Sequence, residues 1–122
     1  MKTNKGKPFG VFSTRSGGVC GVAYIDVDRA LALSSFVPLR ERYRFLDIVL
    51  DACGGNISRA AREIGISRSQ IYRYLGRAER RDIPSDEVLA KIIIAAYRLR
   101  PVKTRDVFRF LLSQFSALVS RL

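Results

Sequence analysis

The sequence predicts a mainly helical protein with a short β-hairpin near its N-terminal end. Three observations predict it. From Pro38 onward, apolar residues recur at spacings of three and four, the period of an amphipathic helix. Between Phe9 and Asp28, β-branched and aromatic runs flank a pair of glycines, the pattern of a hairpin. Gly, Asn, Ser and Pro then punctuate the helical part where helices start and stop. At 122 residues and 48% hydrophobic content, the chain suits one compact domain with a real core.

Residues 1–8 are polar and basic and read as a flexible arm. Phe9-Gly-Val-Phe-Ser-Thr and Val19-Cys-Gly-Val-Ala-Tyr-Ile-Asp-Val flank Arg15-Ser-Gly-Gly18, whose glycines suit the positive φ of a tight turn. A lone hairpin is marginal in water, so it must pack, pair with another chain or contact a partner. Residues 9–37 therefore read as hairpin and connector, with a short helix as one option at Ala30-Leu-Ala-Leu.

Leu39, Tyr43, Leu46, Leu50 and Cys53 form one helical stripe, and Gly54-Gly55 ends it. Asn56 can cap a helix running to Ile64; Gly65-Ile66-Ser67 breaks it, and Ser67 can cap the next helix, from Arg68 to about Arg77. Ser85, followed by Asp86 and Glu87, starts a helix through Tyr97. Pro101 precedes a last helix with Thr104 as its expected cap and a stripe of Phe108, Leu111, Leu112, Phe115, Leu118, Val119 and Leu122. The expected organisation is thus 1–8, 9–37, a helical unit over 38–82, and a helical pair over 83–122.

The chain carries 22 Lys and Arg against 11 Asp and Glu, a net charge of +11. The excess is spread along the chain: five basic against two acidic residues in 1–36, ten against six in 37–83, seven against three in 84–122. Such a charge predicts a polyanionic partner, nucleic acid before membrane. There is no His, which removes imidazole-based catalysis and His-ligated zinc. Cys20 and Cys53 form neither a Cys-x-x-Cys pair nor a four-thiolate site; they read as buried small hydrophobes with free thiols, one disulfide being the alternative. No apolar run reaches the roughly 18–20 residues of a membrane span, no secretory signal is visible, and no phosphate-binding Gly-x-x-x-x-Gly-Lys loop occurs. The expectation is a cytoplasmic, nucleoid-associated protein that is not an enzyme and uses no cofactor or metal.

The most informative stretch is Ile57 to Gly76, Ile-Ser-Arg-Ala-Ala-Arg-Glu-Ile-Gly-Ile-Ser-Arg-Ser-Gln-Ile-Tyr-Arg-Tyr-Leu-Gly. It reads as helix, three-residue turn, helix. Ala61 is small where the helices cross, Gly65 permits the turn, and Ile66 plugs the elbow. Ile57, Ala60 and Ile64 face inward from the first helix, and Ile71, Tyr74 and Leu75 from the second. Ser67, Arg68, Ser69, Gln70, Tyr72, Arg73 and Arg77 remain outward, a face of forked donors, hydroxyls and an amide suited to base edges and phosphates.

This stretch resembles a helix-turn-helix and, more narrowly, the Fis-type DNA-binding domain. Pro38-Leu-Arg-Glu, the helix from Tyr43 to Cys53, Gly55-Asn56, Ser58-Arg-Ala-Ala-Arg, Gly65-Ile66-Ser67-Arg68 and Ile71-Tyr-Arg-Tyr-Leu75 all fit it, over about residues 38–77. The resemblance implies that the last helix reads double-stranded DNA in the major groove through Arg68, Ser69, Gln70, Tyr72 and Arg73. It also implies that Asn56 and Ser58 lie where the preceding helix meets the DNA backbone. Tyr72 has a second reading, a rim contact to the first helix. Arg59 and Arg62 are phosphate or solvent residues, and Arg77, Arg80 and Arg81 are phosphate candidates.

The expected function is sequence-specific binding of double-stranded DNA as a transcriptional regulator or architectural protein. The alternatives are the recognition part of a recombinase, integrase or transposase, whose helices are similar, and a non-catalytic protein-interaction adaptor. About 45 residues follow the motif, with Ile92, Ile93, Ile94, Ala95 and Ala96 in one helix and Phe108, Phe110, Leu111, Phe115 and Leu118 in the next. They complete the monomer core or form a homodimer interface, and the dimer is the preferred reading. It would set two recognition helices one DNA turn apart, around 34 Å.

Overall fold

The computed structural model describes residues 24–76 and 82–122. The basic arm at 1–8 and most of the expected hairpin, with Cys20, lie outside the described residues. The expected second strand ran through Val27, and there the structure differs. Tyr24 and Ile25 are irregular, and Asp26 caps a helix by accepting a hydrogen bond from the Arg29 amide at 2.7 Å. That helix is α1, Val27–Ser35. A side-chain cap stops a strand-like run of residues from remaining extended, and no strand occurs among the described residues.

Five further helices follow: α2 (Tyr43–Ala52), α3 (Ile57–Ile64), α4 (Arg68–Tyr74), α5 (Asp86–Leu99) and α6 (Pro101–Ser120). Leu39 does not join the α2 stripe. It sits in a 3₁₀ turn, Leu39–Glu41, and is exposed, because Pro38 starts the chain in a turn before the α-helix begins. The buried face of α2 is Phe45, Leu46, Ile48 and Val49, with Cys53 buried just beyond it as a free thiol.

The core is organised around α5. Leu89, Ala90, Ile92, Ile93, Ala95 and Ala96 are all buried, since α1, α2, α3 and α6 pack around this one helix. Of the two expected uses of this helix, core completion and a dimer interface, its buried residues serve the first: a helix apolar nearly all round is here the centre of the monomer. Ser85 caps it, accepting from the Val88 amide at 3.3 Å.

The last helix also starts earlier than expected. Pro101 occupies its first turn, and Thr104 is no cap but is fully buried inside it, its hydroxyl donating to the Arg100 carbonyl at 2.8 Å. Proline fits the first helical turn because its missing N–H would have no partner there. Only the first half of α6 packs, through Thr104, Val107, Phe108 and Leu111. Phe108 lies against Phe45 of α2, ring centroids 4.8 Å apart. Beyond Leu111 every residue is exposed.

One buried charge ties the segments together. The Arg42 guanidinium donates from Nε to the Val37 carbonyl at 3.3 Å, and from its terminal nitrogens to Pro84 (2.9 Å) and Ser34 (3.2 Å). It also pairs with Asp86 at 2.7 Å. The end of α1, the start of α2 and the entry to α5 thus share one forked side chain, which can satisfy several carbonyls at once. Arg98 pairs with Glu63 at 2.6 Å and Lys103 with Asp51 at 3.3 Å, joining α5 to α3 and α6 to α2. No helix of the described residues is long and apolar enough to cross a membrane.

Candidate nucleic-acid interface

The candidate interface lies on α3 and α4, and local sequence dictates both helices. Gly54 and Gly55 take positive φ values of 66° and 80°, turning the chain out of α2. Asn56 then caps α3, its side-chain oxygen accepting from the Arg59 amide at 3.0 Å. Gly65 ends α3 in the left-handed region at φ 88°, where a side chain would be strained. The amides of Gly65 and Ile66 both return to the Ala61 carbonyl, at 2.8 and 3.1 Å, closing the turn.

Ser67 and Gln70 form a capping box at the start of α4. The Gln70 amide donates to the Ser67 hydroxyl at 3.2 Å, and the Ser67 amide donates to the Gln70 side-chain oxygen at 3.3 Å. These two candidate residues therefore define where the helix begins as well as lining its outer face. Ile71 and Tyr74 are buried and anchor α4 against α3, while Leu75 is half-buried. Burial pushes the Tyr74 phenol above its ordinary pKa, with a hydrogen bond to Gln70 and the Arg73 charge pulling the other way. α4 ends at Tyr74, short of the expected Arg77, which lies outside the described residues with the rest of 77–81.

Asn56, Ser58, Arg59, Ser67, Arg68, Ser69, Tyr72 and Arg73 are all exposed, and Gln70 is half-exposed. Arg68 reaches back to α3 and donates to the Ser58 hydroxyl at 3.4 Å, bringing together two residues ten apart in sequence. Arg73 lies five residues further on, about 7.5 Å along the helix axis. Its Nε is 2.9 Å from the Asp82 carboxylate. The acid on α3, Glu63, is held by Arg98 of α5 through both its carboxylate (2.6 Å) and its carbonyl (3.2 Å). The exposed residues of α4 carry two arginines, hydroxyls and no acid, a face suited to hydrogen bonding with an anionic, polar partner.

The combination that decides the matter is a short helix anchored by Ile71 and Tyr74, a glycine turn, a capped preceding helix, and a sequence match over the same span. Residues 43–77 match the profile of the family described as bacterial regulatory protein, Fis family. Residues 43–77 are a Fis-type helix-turn-helix. No curated protein and no solved structure matches the chain.

The Fis-type unit comprises α2, α3 and α4. It makes this a DNA-binding protein of the transcription-regulating class, with double-stranded DNA as partner. Sequence reasoning missed Asp82, which pairs with Arg73 across a connector whose course no periodicity reveals. It also missed Arg42, which is buried because the segment leading into α5 passes beside it. Among the described residues no cluster of three or more His, Cys, Asp or Glu is arranged to hold a metal ion.

Proposed function

We propose that this chain is a non-catalytic, sequence-specific regulator that binds double-stranded DNA as a homodimer and reads the major groove with α4. The observation that carries the reading is the division of α4 into two faces. Ile71 and Tyr74 are buried against α3, and Arg68, Ser69, Tyr72 and Arg73 face outward on a helix that packs mainly on one neighbour. A helix held from behind with forked donors in front is what base-edge reading needs. Arg59 and Ser58, exposed on α3, and Asn56 at its start are the backbone-contacting set.

The second copy docks on the free half of α6. Leu112, Phe115, Leu118, Val119 and Leu122 are all exposed, and no charged residue occurs between Phe110 and Ser120. The apolar stripe of Phe108 and Leu111, packed on the core, continues at the same three-four spacing into Phe115, Leu118 and Leu122, beyond the monomer's own cover. An uncharged segment in a chain of net charge +11 is where two copies approach with least repulsion.

Fluorescence anisotropy with random duplexes and a duplex selected from a random pool tests the DNA reading. Binding weakens steeply with added salt, and Arg73→Ala loses about 1–3 kcal/mol on the selected duplex but little on random DNA. Equal binding of all duplexes, unchanged by Arg73→Ala, would overturn sequence reading by α4.

A further inference from the structure

We propose that Asp82 is a positioning residue for base reading: it holds the Arg73 guanidinium by Nε and leaves the NH1/NH2 edge to grip one guanine. This rests on the reading that α4 contacts base edges through Arg73.

Asp82 is itself fixed from two sides. Its amide donates to the Arg73 carbonyl at 3.0 Å, and its carbonyl accepts from the Tyr43 hydroxyl of α2 at 2.7 Å. Its carboxylate is thereby set beside the last turn of α4, 2.9 Å from Arg73 Nε. The guanidinium has two usable edges, Nε with one terminal nitrogen, or both terminal nitrogens. Asp82 occupies the first, and the second has no protein partner among the described residues. That remaining fork matches the O6 and N7 acceptors of guanine.

The charge points the same way. A free arginine is drawn to phosphate wherever the chain offers one. With a carboxylate at 2.9 Å, Arg73 is close to neutral as a pair, which favours an uncharged base edge over a phosphate. The pairing also removes rotamer freedom before binding, so less is lost when the base contact forms.

The test compares wild type, Asp82→Ala and Arg73→Ala on the duplex selected by wild type, on copies with single guanines replaced by 7-deazaguanine, and on random duplex. Wild type loses affinity at one particular deaza position. Asp82→Ala is expected to reduce that loss by about tenfold, with affinity for random duplex equal or higher. Thermal unfolding of the variant confirms that it is folded. Tighter binding of the selected duplex by Asp82→Ala with discrimination intact would make Asp82 a competitor that DNA displaces, and overturn the proposal. So would an equal loss on every duplex, the mark of a merely structural connector. If Arg73→Ala loses the discrimination while Asp82→Ala keeps it, only the role of Asp82 fails. If Arg73→Ala keeps it, the reading of α4 fails as well.

Discussion

Replacing Arg42 with Met keeps a long apolar stem and removes every donor of the guanidinium. Its side chain is 7% exposed, so water cannot simply take its place. The Val37 and Pro84 carbonyls lose the arginine donors at 3.3 and 2.9 Å, at about 1–2 kcal/mol each. Ser34 keeps its bond from the Val37 amide at 3.2 Å and loses less. The ion pair adds under about 1 kcal/mol, because the Asp86 side chain is 52% exposed and solvent screens it. The expected loss is about 3–5 kcal/mol, which lowers the midpoint of thermal unfolding by roughly 12–20 °C for a chain of this size. Urea denaturation followed by circular dichroism supplies the free energy, and an unchanged slope shows that the same surface unfolds. A loss below about 1 kcal/mol would refute the view that this arginine joins α1, α2 and α5 through buried carbonyls.

Gly65→Ala is expected to cost about 1 kcal/mol in unfolding experiments, purely from φ 88°, since an added Cβ meets nothing within 4 Å. Ser67→Ala removes the cap of α4 and lowers stability by about 1 kcal/mol in the same measurement. Phe115→Glu with Leu118→Glu is expected to turn the proposed dimer into monomer in sedimentation velocity while leaving the monomer fold intact, because both residues are exposed. Arg59→Ala flattens the slope of log affinity against log salt by about one without changing base preference. Tyr74, with its pKa raised by burial, favours the folded state fully below pH 10.0, its ordinary value; that contribution disappears as pH rises through the raised value. Tyr74→Phe accordingly weakens the alkaline decline in stability, read from unfolding midpoints across pH.

The recognition unit was legible in the sequence because its constraints are local. Asn56, Gly65 and Ser67 each act within four residues, and their caps and turn lie where the residue types put them. Of the six residues expected to face inward, Ala60, Ile64, Ile71 and Tyr74 are buried, and Ile57 and Leu75 are half-buried at the edge of the core. What could not be read depends on distant partners. Ile92, Ile93, Ala95 and Ala96 look alike whether they cover a second copy or a monomer core, and only the packing of four helices around α5 distinguishes the two. Thr104 has the chemistry of a cap, yet Pro101 starts the helix a turn earlier and leaves the hydroxyl to bond back to Arg100. Tyr24 to Val27 has strand propensity that the Asp26 cap overrides. The Arg73–Asp82 pair joins α4 to a connector nine residues on, beyond the reach of any periodic pattern.

Methylation protection on the selected duplex tests the placement of α4 in the major groove. Dimethyl sulfate modifies guanine N7 in the major groove and adenine N3 in the minor groove. If α4 reads the major groove, wild type shields guanine N7 at defined positions, leaves adenine N3 open, and loses the shielding at one guanine with Arg73→Ala. Shielding confined to adenine N3, or guanine N7 left open at saturating protein, would contradict it.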